Sequence, residues 1–230
     1  IDVFDFFAGI MHYAFFPSDA TEFFWISDKD GYAHLYRYNY DGKLQNQVTT
    51  GNWEVVYVHA VDSKKKKIYY SSTEDSPLER QLYVINFNGK GKKKLTEQEG
   101  RHNIDMAPEA TFFIDRYSNV NTPSKVDLRN ASGKLVKALE ENKEVTEALK
   151  NVAFVMPELS SFTNSEGDKI DISIYKPLGF DASQKYPMVL DVYGGPGAQS
   201  VYNQWSVSAW HQYLLHNGYV VIQVNNRGGG

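Results

Sequence analysis

The chain has 230 residues, of which 42% are hydrophobic and 23% charged, and this length allows one large domain or two small ones. Its net charge of −4 gives no reason to expect a nucleic-acid partner, and no apolar run approaches the ~18 residues needed to span a bilayer. The sequence has no cysteine, which excludes disulfides and thiolate metal sites.

Three segments of the first half share one layout, in which an apolar-aromatic strand precedes a polar turn, a second strand and a glycine turn. They begin at Phe23, Ile68 and Phe112, so their starts lie 45 and 44 residues apart. The glycine turns, of a type that favours hairpins, are Asp41-Gly42, Asn88-Gly89 and Ser132-Gly133. Between units, Val55–Val61 predicts a further strand. A period near 45 residues with several strands per unit is typical of β-propeller blades.

Three blades do not close a ring, because propellers have about 4–8. We therefore predict that residues 1–140 are the last three blades of a β-propeller. The alternative is an unrelated all-β meander whose periodicity is accidental. The chain begins at Ile1 without an initiator methionine, so we expect both ends to be cuts in a longer polypeptide.

The second half has a different character, beginning with a short connecting helix predicted over 143–150 from its apolar spacing. A strand is predicted over 159–163, followed by a turn. Isoleucines then alternate with more polar residues over 170–175, which indicates a half-exposed strand in an antiparallel hairpin.

Two apolar runs then follow, Met188–Val192 and Val220–Val224, and both are expected to be strands buried on two faces. Between these runs, a helix is predicted in which Val207, Trp210 and Leu214 share one face. Gly218 is placed where the C-cap glycine of that helix would lie. Antiparallel strands thus lead into a parallel β-α-β unit. We predict that residues 141–230 are the N-terminal part of an α/β domain.

The turn Tyr193-Gly194-Gly195-Pro196-Gly197 follows the first of these strands. Ligands of α/β sheets bind at the carboxyl ends of strands, and glycines allow the backbone to approach them closely. A phenol at this place could donate a hydrogen bond to a developing oxyanion. A plain turn with a packed tyrosine explains the pattern equally well.

Other chemical motifs are weaker. The sequence contains no G-x-S-x-G motif, so it offers no recognisable serine nucleophile. None of the six histidines has a metal-binding spacing, and none can be selected as catalytic. We expect the lysine runs 64–67 and 92–94 on solvated turns, and 28–31 as a turn instead of a calcium loop. No cofactor and no metal are expected.

Four stretches occur in a specific order: Gly51–Val55, Ser72–Pro77, Lys185–Pro196 and Asn226–Gly228. In this order they resemble the dipeptidyl peptidase IV branch of the prolyl oligopeptidase family of serine peptidases. The resemblance runs from about Phe15 to Gly230. It implies an eight-bladed propeller that caps an α/β-hydrolase domain. It also implies removal of N-terminal dipeptides from peptides, with Pro or Ala in the second position.

Within this resemblance, Tyr193 matches the tyrosine whose hydroxyl forms part of the oxyanion hole. Gly194, Gly195 and Pro196 form the turn beside it, and Arg227 matches an arginine with a structural or site-shaping role. The family's Ser, Asp and His should follow Gly230, and its amine-binding glutamate pair should precede Ile1. The chain alone is therefore expected to be inactive.

The resemblance also implies peptide substrates as partners and a homodimer. A periplasmic or secreted location in a bacterium is expected, because animal relatives carry disulfides and this chain has no cysteine. Two alternatives stay open: a catalytically dead homologue that acts by binding, and another peptidase of the prolyl oligopeptidase type.

Overall fold

The computed structural model describes residues 14–17, 21–195 and 197–227. Predictions on His12, Pro196 and Gly228–Gly230 lie outside these residues. The described chain forms sixteen strands and two helices, and the strands make four sheets of four. None of the helices in these ranges is long and apolar enough to cross a membrane.

The first three sheets follow one another along the chain, and each is antiparallel throughout. The first contains β1 (Ala14–Phe15), β2 (Glu22–Ser27), β3 (His34–Asn39) and β4 (Leu44–Gln47). The second contains β5 (Val55–Asp62), β6 (Lys67–Ser72), β7 (Gln81–Asn86) and β8 (Lys93–Lys94). The third contains β9 (Arg101–Met106), β10 (Phe112–Asn119), β11 (Thr122–Asn130) and β12 (Leu135–Glu140).

The predicted repeat is confirmed, because each segment supplies the second and third strands of one sheet and the glycine turn before its fourth. These turns require a backbone that glycine adopts without strain: φ is +76° at Gly42, +77° at Gly89 and +88° at Gly133. The predicted strand over 55–61 is β5. The opening strand of the third sheet, β9, was not predicted, since Arg101–Met106 is largely polar.

Neighbouring sheets of this series pack against each other through two hydrophobic cores. The core between the first and second sheets contains Phe24, Leu35, Trp53, Ile68, Tyr83 and Phe87. The core between the second and third contains Tyr69, Leu82, Leu95, Ile104 and Phe113. Four-stranded antiparallel sheets stacked face to face in chain order are the arrangement of adjacent propeller blades.

The hairpin turn at Gly133 offers a direct test of this packing. A Cβ atom at Gly133 would lie 2.4 Å from the backbone oxygen of Leu95, whereas a Cβ at Gly42 would meet nothing within 4 Å. Both positions have positive φ, so both alanine variants carry the same backbone strain. We expect Gly133→Ala to lose about 1–3 kcal/mol more unfolding free energy than Gly42→Ala, measured by urea denaturation of the full-length protein. Equal losses would contradict the close contact.

The fourth sheet is mixed. It contains β13 (Glu158–Thr163), β14 (Lys169–Tyr175), β15 (Met188–Asp191) and β16 (Val220–Val224), in the order β13-β14-β16-β15. The helices are α1 (Lys143–Leu149), before the sheet, and α2 (Ala209–His216), between β15 and β16. β15 and β16 are parallel and the other pairs are antiparallel. The predicted hairpin and the predicted β-α-β unit are both confirmed.

Helix α2 is closed at both ends by its own sequence. The Ser208 side chain accepts a hydrogen bond from the His211 backbone N–H at 3.2 Å. At the other end, Gly218 has φ +80°, and the backbone N–H groups of Gly218 and Tyr219 donate to the Leu215 and Leu214 oxygens. This is a Schellman motif, so the predicted C-terminal glycine is confirmed.

The predicted apolar face of this helix is confirmed at Leu214, which is buried, and wrong at Val207 and Trp210. Val207 precedes the helix and is exposed, and Trp210 is also exposed. The helix packs on the sheet through His211, Leu214 and Leu215, which are buried. These residues are spaced i, i+3 and i+4, and Trp210 lies at the edge of the stripe that they form, where it stays exposed.

The predicted burial of the 188–192 strand on both faces is also wrong. Among the described residues, β15 is an edge strand that pairs with β16 alone. Val189 packs towards α2, whereas Met188, Leu190 and Val192 point away and are more than half exposed. Alternate residues of a strand face opposite sides, and among the described residues only one side is covered.

Candidate functional site

Tyr193 lies two residues after β15, at the carboxyl edge that β15 and β16 share as parallel strands. Its side chain is 73% exposed, and its hydroxyl makes no hydrogen bond to another described residue. We call residues 193–195 and 197 the Tyr193 turn. An exposed phenol at this edge is free to donate a hydrogen bond to a ligand.

Glycine is required in the Tyr193 turn for two reasons. Gly194 and Gly197 have φ of +67° and +65°, in the left-handed region that favours glycine. A Cβ at Gly195 would lie 2.5 Å from Cε1 of Tyr193, so this glycine leaves room for the tyrosine ring. The sequence of the turn therefore sets both the backbone path and the place of the phenol.

Polar contacts below the turn hold the end of β15. The Gln223 side chain on β16 donates to Asp191 Oδ2 at 3.0 Å, and His211 Nε2 lies 3.4 Å from the same oxygen. The His211 ring meets the Tyr175 ring edge-on at 5.2 Å. Burial, together with the charge of Asp191, raises the pKa of Tyr175, which keeps its hydroxyl neutral. These contacts join α2 and three strands beneath Tyr193.

Residues 199–205, which we call the docking segment, are fixed to the same edge of the sheet by Asn225. This buried side chain follows β16 and accepts from the backbone N–H groups of Ser200 (2.9 Å) and Val201 (2.8 Å). Its amide nitrogen also lies 3.3 Å from the Val201 oxygen. The chain that leaves the Tyr193 turn is therefore held by three hydrogen bonds from one asparagine.

The docking segment also contacts the second sheet. Arg80 donates to the Gln199 side chain at 2.9 Å, and Asn203 donates to Glu79 at 2.7 Å. The Asn203 backbone N–H donates to the Leu78 oxygen at 2.9 Å. These residues lie just before β7, so the second sheet is tied to the segment that follows the Tyr193 turn.

Contacts to the third sheet are similar. The Val120 backbone N–H donates to the Asn203 side chain at 3.2 Å, and the Trp205 N–H donates to the Ser118 hydroxyl at 3.1 Å. Ser118 belongs to β10 and Val120 to the turn after it, whereas Asn203 and Trp205 belong to the docking segment. The docking segment thus joins the sheet that carries Tyr193 to two of the antiparallel sheets.

A family model described as the dipeptidyl peptidase IV (DPP IV) N-terminal region matches residues 6–124, which is just over half of the chain. The chain belongs to the dipeptidyl peptidase IV family. The resemblance found in the sequence is thereby confirmed.

Relatives in this family agree with the match. The chain is 32% identical over 213 residues to a probable dipeptidyl peptidase 4 of Arthroderma benhamiae, covering 89% of this chain. It is 30% identical over 245 residues to dipeptidyl peptidase 8 of Mus musculus, covering 91% of this chain. The crystal structure of Porphyromonas gingivalis dipeptidyl peptidase 4 superposes with a TM-score of 0.87 at 32% identity, over 94% of this chain. The chain spans 27% to 30% of the length of these three relatives.

Arg227, the predicted site residue outside the Tyr193 turn, lies just after β16. Its guanidinium forms an ion pair with Glu166 and lies 3.4 Å from an oxygen of Asp168. Both acids belong to the turn between β13 and β14. Arg227 therefore ties the chain after β16 to that turn, and its contribution to a site stays a prediction.

The histidines and lysines singled out in the sequence make hydrogen bonds and ion pairs within the chain or lie exposed at turns. His34 is buried and bonds the Thr49 hydroxyl, and His102 is buried against Asp115. Lysines 64–66 are exposed at a turn, and Lys92 and Lys94 form ion pairs with acidic side chains. Residues 28–31 form a turn closed by a 2.8 Å backbone hydrogen bond. In the described ranges, no group of His, Asp or Glu is arranged to hold a metal.

The residues that join the sheets were not predicted from the sequence. Arg80, Glu79 and Asn225 were not selected, although a polar residue directly after a buried strand is a usable signal for Asn225. The partners of Arg80 and Glu79 lie more than one hundred residues away. No local pattern could have paired them.

Proposed function

We propose that the full-length protein is a serine-type dipeptidyl peptidase that releases N-terminal dipeptides with Pro or Ala in the second position through an acyl-enzyme. The observation that carries the proposal is the free Tyr193 hydroxyl, exposed on a glycine turn at the carboxyl edge of two parallel strands. It supports the proposal because the chain belongs to a family whose relatives are named dipeptidyl peptidases.

We further propose that residues 1–140 are propeller blades and that residues 141–230 begin an α/β-hydrolase domain. Three stacked four-stranded sheets support the first part, and a mixed sheet with a parallel β-α-β unit supports the second. The docking segment would then be the contact between the two domains. A homodimer is also proposed on the family resemblance, and a periplasmic or secreted location on that resemblance together with the absence of cysteine.

In the proposed mechanism, a serine attacks the carbonyl carbon of the second substrate residue, and the carbonyl oxygen becomes an oxyanion. The Tyr193 O–H donates a hydrogen bond to this oxyanion, with a backbone N–H beside the nucleophile as second donor. Collapse of the intermediate breaks the peptide bond and leaves the dipeptide as an ester on the serine, which water then hydrolyses. The proposal places the nucleophile outside these 230 residues, because they contain no G-x-S-x-G motif.

The support around Tyr193 suits this role, because an oxyanion donor is effective when it is held in place before the reaction. Asp191 and Gln223 fix the end of β15 before the turn, and Asn225 fixes the chain after it. The turn itself leaves the phenol open to a substrate.

Hydrolysis of Gly-Pro-p-nitroanilide by the full-length protein tests the proposal. We expect release of p-nitroaniline, no release from the N-acetylated substrate, and covalent labelling of a serine by a fluorophosphonate. Equal hydrolysis of the acetylated substrate would instead favour another peptidase of the prolyl oligopeptidase type. A folded protein with no turnover and no labelling would overturn the peptidase and favour a homologue that only binds.

A further inference from the structure

A cavity of about 610 Å³ lies between the second and third antiparallel sheets and is bordered by Gln204 of the docking segment. Strands β5, β9 and β10 supply much of its wall. Three arginines line it: Arg80, Arg101 and Arg116. Its volume is in the range of ligand-binding pockets.

The three guanidinium groups meet there because of strand register. Ser118 pairs with Arg101 and Arg116 pairs with Asn103, so Arg101 and Arg116 are diagonal neighbours on one face of β9 and β10. Arg80 reaches the same place from the second sheet, because its backbone forms a parallel bridge with Arg101. The His102 N–H donates to the Arg80 oxygen at 3.0 Å in this bridge.

These three arginines differ from the other arginines in having no acidic partner among the residues that the structure describes. The sequence has six arginines. Arg37, Arg129 and Arg227 form ion pairs with carboxylates. The other three line the cavity, and no carboxylate oxygen of the described residues lies within ion-pair distance, 4.0 Å, of their guanidinium nitrogens.

The contacts that they do make are with neutral groups. Arg80 is buried and donates to the backbone oxygens of Pro77 (2.9 Å) and Glu79 (2.7 Å) and to Gln199. Arg101 donates to Gln204 at 3.1 Å, and its guanidinium carbon lies 4.4 Å from the centre of the Tyr202 ring. These contacts orient the guanidinium groups without neutralising them.

Other ionisable groups near the cavity do not change this balance. Burial lowers the pKa of His59 to about 4, although Asp105 acts in the opposite direction, so this histidine is neutral at neutral pH. Its Nε2 lies 2.7 Å from the Ser71 hydroxyl, and its ring contacts that of Tyr57. Burial is the largest cause that lowers the pKa of Arg80; the charge of Arg101 acts in the same direction, and Tyr202 and Glu54 act in the opposite direction. The cavity is therefore positively charged.

We propose that this cavity binds a carboxylate of a peptide through Arg80, Arg101 and Arg116. The planar guanidinium fork matches the two oxygens of a carboxylate and forms charge-assisted hydrogen bonds with them. The ligand class rests on the proposed peptidase function, since a peptidase meets peptides. Either a C-terminal carboxylate or an acidic side chain supplies this chemistry.

The test measures equilibrium binding to the full-length protein by isothermal titration calorimetry at low salt. Three N-acetylated peptides separate the sources: Ala-Ala-Ala with a free C-terminus, Ala-Ala-Asp-amide, and Ala-Ala-Asn-amide, which has no carboxylate. We expect at least one of the first two to bind about tenfold or more tightly than the third. The amine is blocked in all three, so none is a substrate of the proposed dipeptidyl peptidase.

Arg116→Gln is the decisive variant, because this side chain is exposed and makes no hydrogen bond or ion pair with the described residues. Removing the Arg116 guanidinium should leave the docking segment intact. It should raise the Kd of the carboxylate peptide about tenfold or more, because one charge-assisted hydrogen bond to the carboxylate is lost. Lys64→Gln, at an exposed turn of the second sheet, removes the same charge elsewhere and should leave the Kd unchanged.

Equal affinity for the three peptides, or an unchanged Kd in Arg116→Gln, would overturn the carboxylate site. Neither result depends on turnover. A protein that hydrolyses Gly-Pro-p-nitroanilide but shows no carboxylate preference keeps its proposed function and loses only this site. A protein that shows the preference but lacks turnover keeps the site and loses the peptidase.

Discussion

Tyr193→Phe is expected to lower kcat for Gly-Pro-p-nitroanilide by about 10²–10³-fold, the usual loss when one oxyanion donor is removed. The substitution removes only the hydroxyl, which makes no hydrogen bond within the described chain, and it keeps the ring, for which Gly195 leaves room. The lost interaction belongs to the transition state. KM should therefore change little, and kcat and kcat/KM should fall by similar factors.

Tyr213→Phe is the matched control for this experiment. Tyr213 is also an exposed tyrosine, at 60% against 73% for Tyr193, but it lies on α2. We expect wild-type kcat for Tyr213→Phe and the same unfolding midpoint for both variants. If Tyr193→Phe kept wild-type turnover, the oxyanion role of Tyr193 would be refuted.

Much of the antiparallel part of the fold could be predicted from the sequence, because its signals are local. Glycine turns at residues 42, 89 and 133 fix hairpins, and the apolar strands before them repeat at intervals of 45 and 44 residues. β9 was not predicted as a strand because Arg101–Met106 carries charged and polar residues on the face that lines the cavity. Its partners on β10 and its place between two sheets, not its composition, make it a strand.

The wrong predictions in the second half of the chain, on β15 and α2, also arise because burial depends on where an element lies in the fold and not on its composition. The exposure of β15 depends on its place at the edge of the sheet, and the buried side of α2 depends on where the helix starts. An apolar run does not reveal either fact. Both Trp210 and Leu190 read as core residues from the sequence, yet both are exposed among the described residues.

The Tyr193 turn was open to prediction because strand, tyrosine and glycines are adjacent in the sequence. The arginine cavity was not, since it combines residues from two sheets with Gln204, over one hundred residues along the chain from Arg101. Charge alone also gave no hint, because the chain is acidic overall. Only the structure separates the three arginines with carboxylate partners from the three without.

Asp115→Ala is expected to cost about 3–5 kcal/mol of unfolding free energy, the usual loss when one member of a buried ion pair is removed. Asp115 is fully buried, and its Oδ1 lies 2.8 Å from His102 Nδ1. Its Oδ2 lies 3.4 Å from Arg129 Nε. The variant would leave a buried histidine nitrogen without its acceptor and remove one of the two carboxylates beside Arg129, which keeps only Asp127.

Two further variants show whether the loss comes from this buried network. Asp115→Asn keeps an oxygen acceptor for His102 but removes the charge near Arg129, so its loss should be smaller than that of Asp115→Ala. Glu147→Ala breaks an ion pair with Lys150 in which both side chains are more than 60% exposed, and its effect should stay within about 1 kcal/mol. Urea denaturation of the full-length protein gives all three values. An uncompensated polar group costs free energy in a dry interior but not in water. If Asp115→Ala were as stable as Glu147→Ala, the buried network around Asp115 would therefore not stabilise the third sheet.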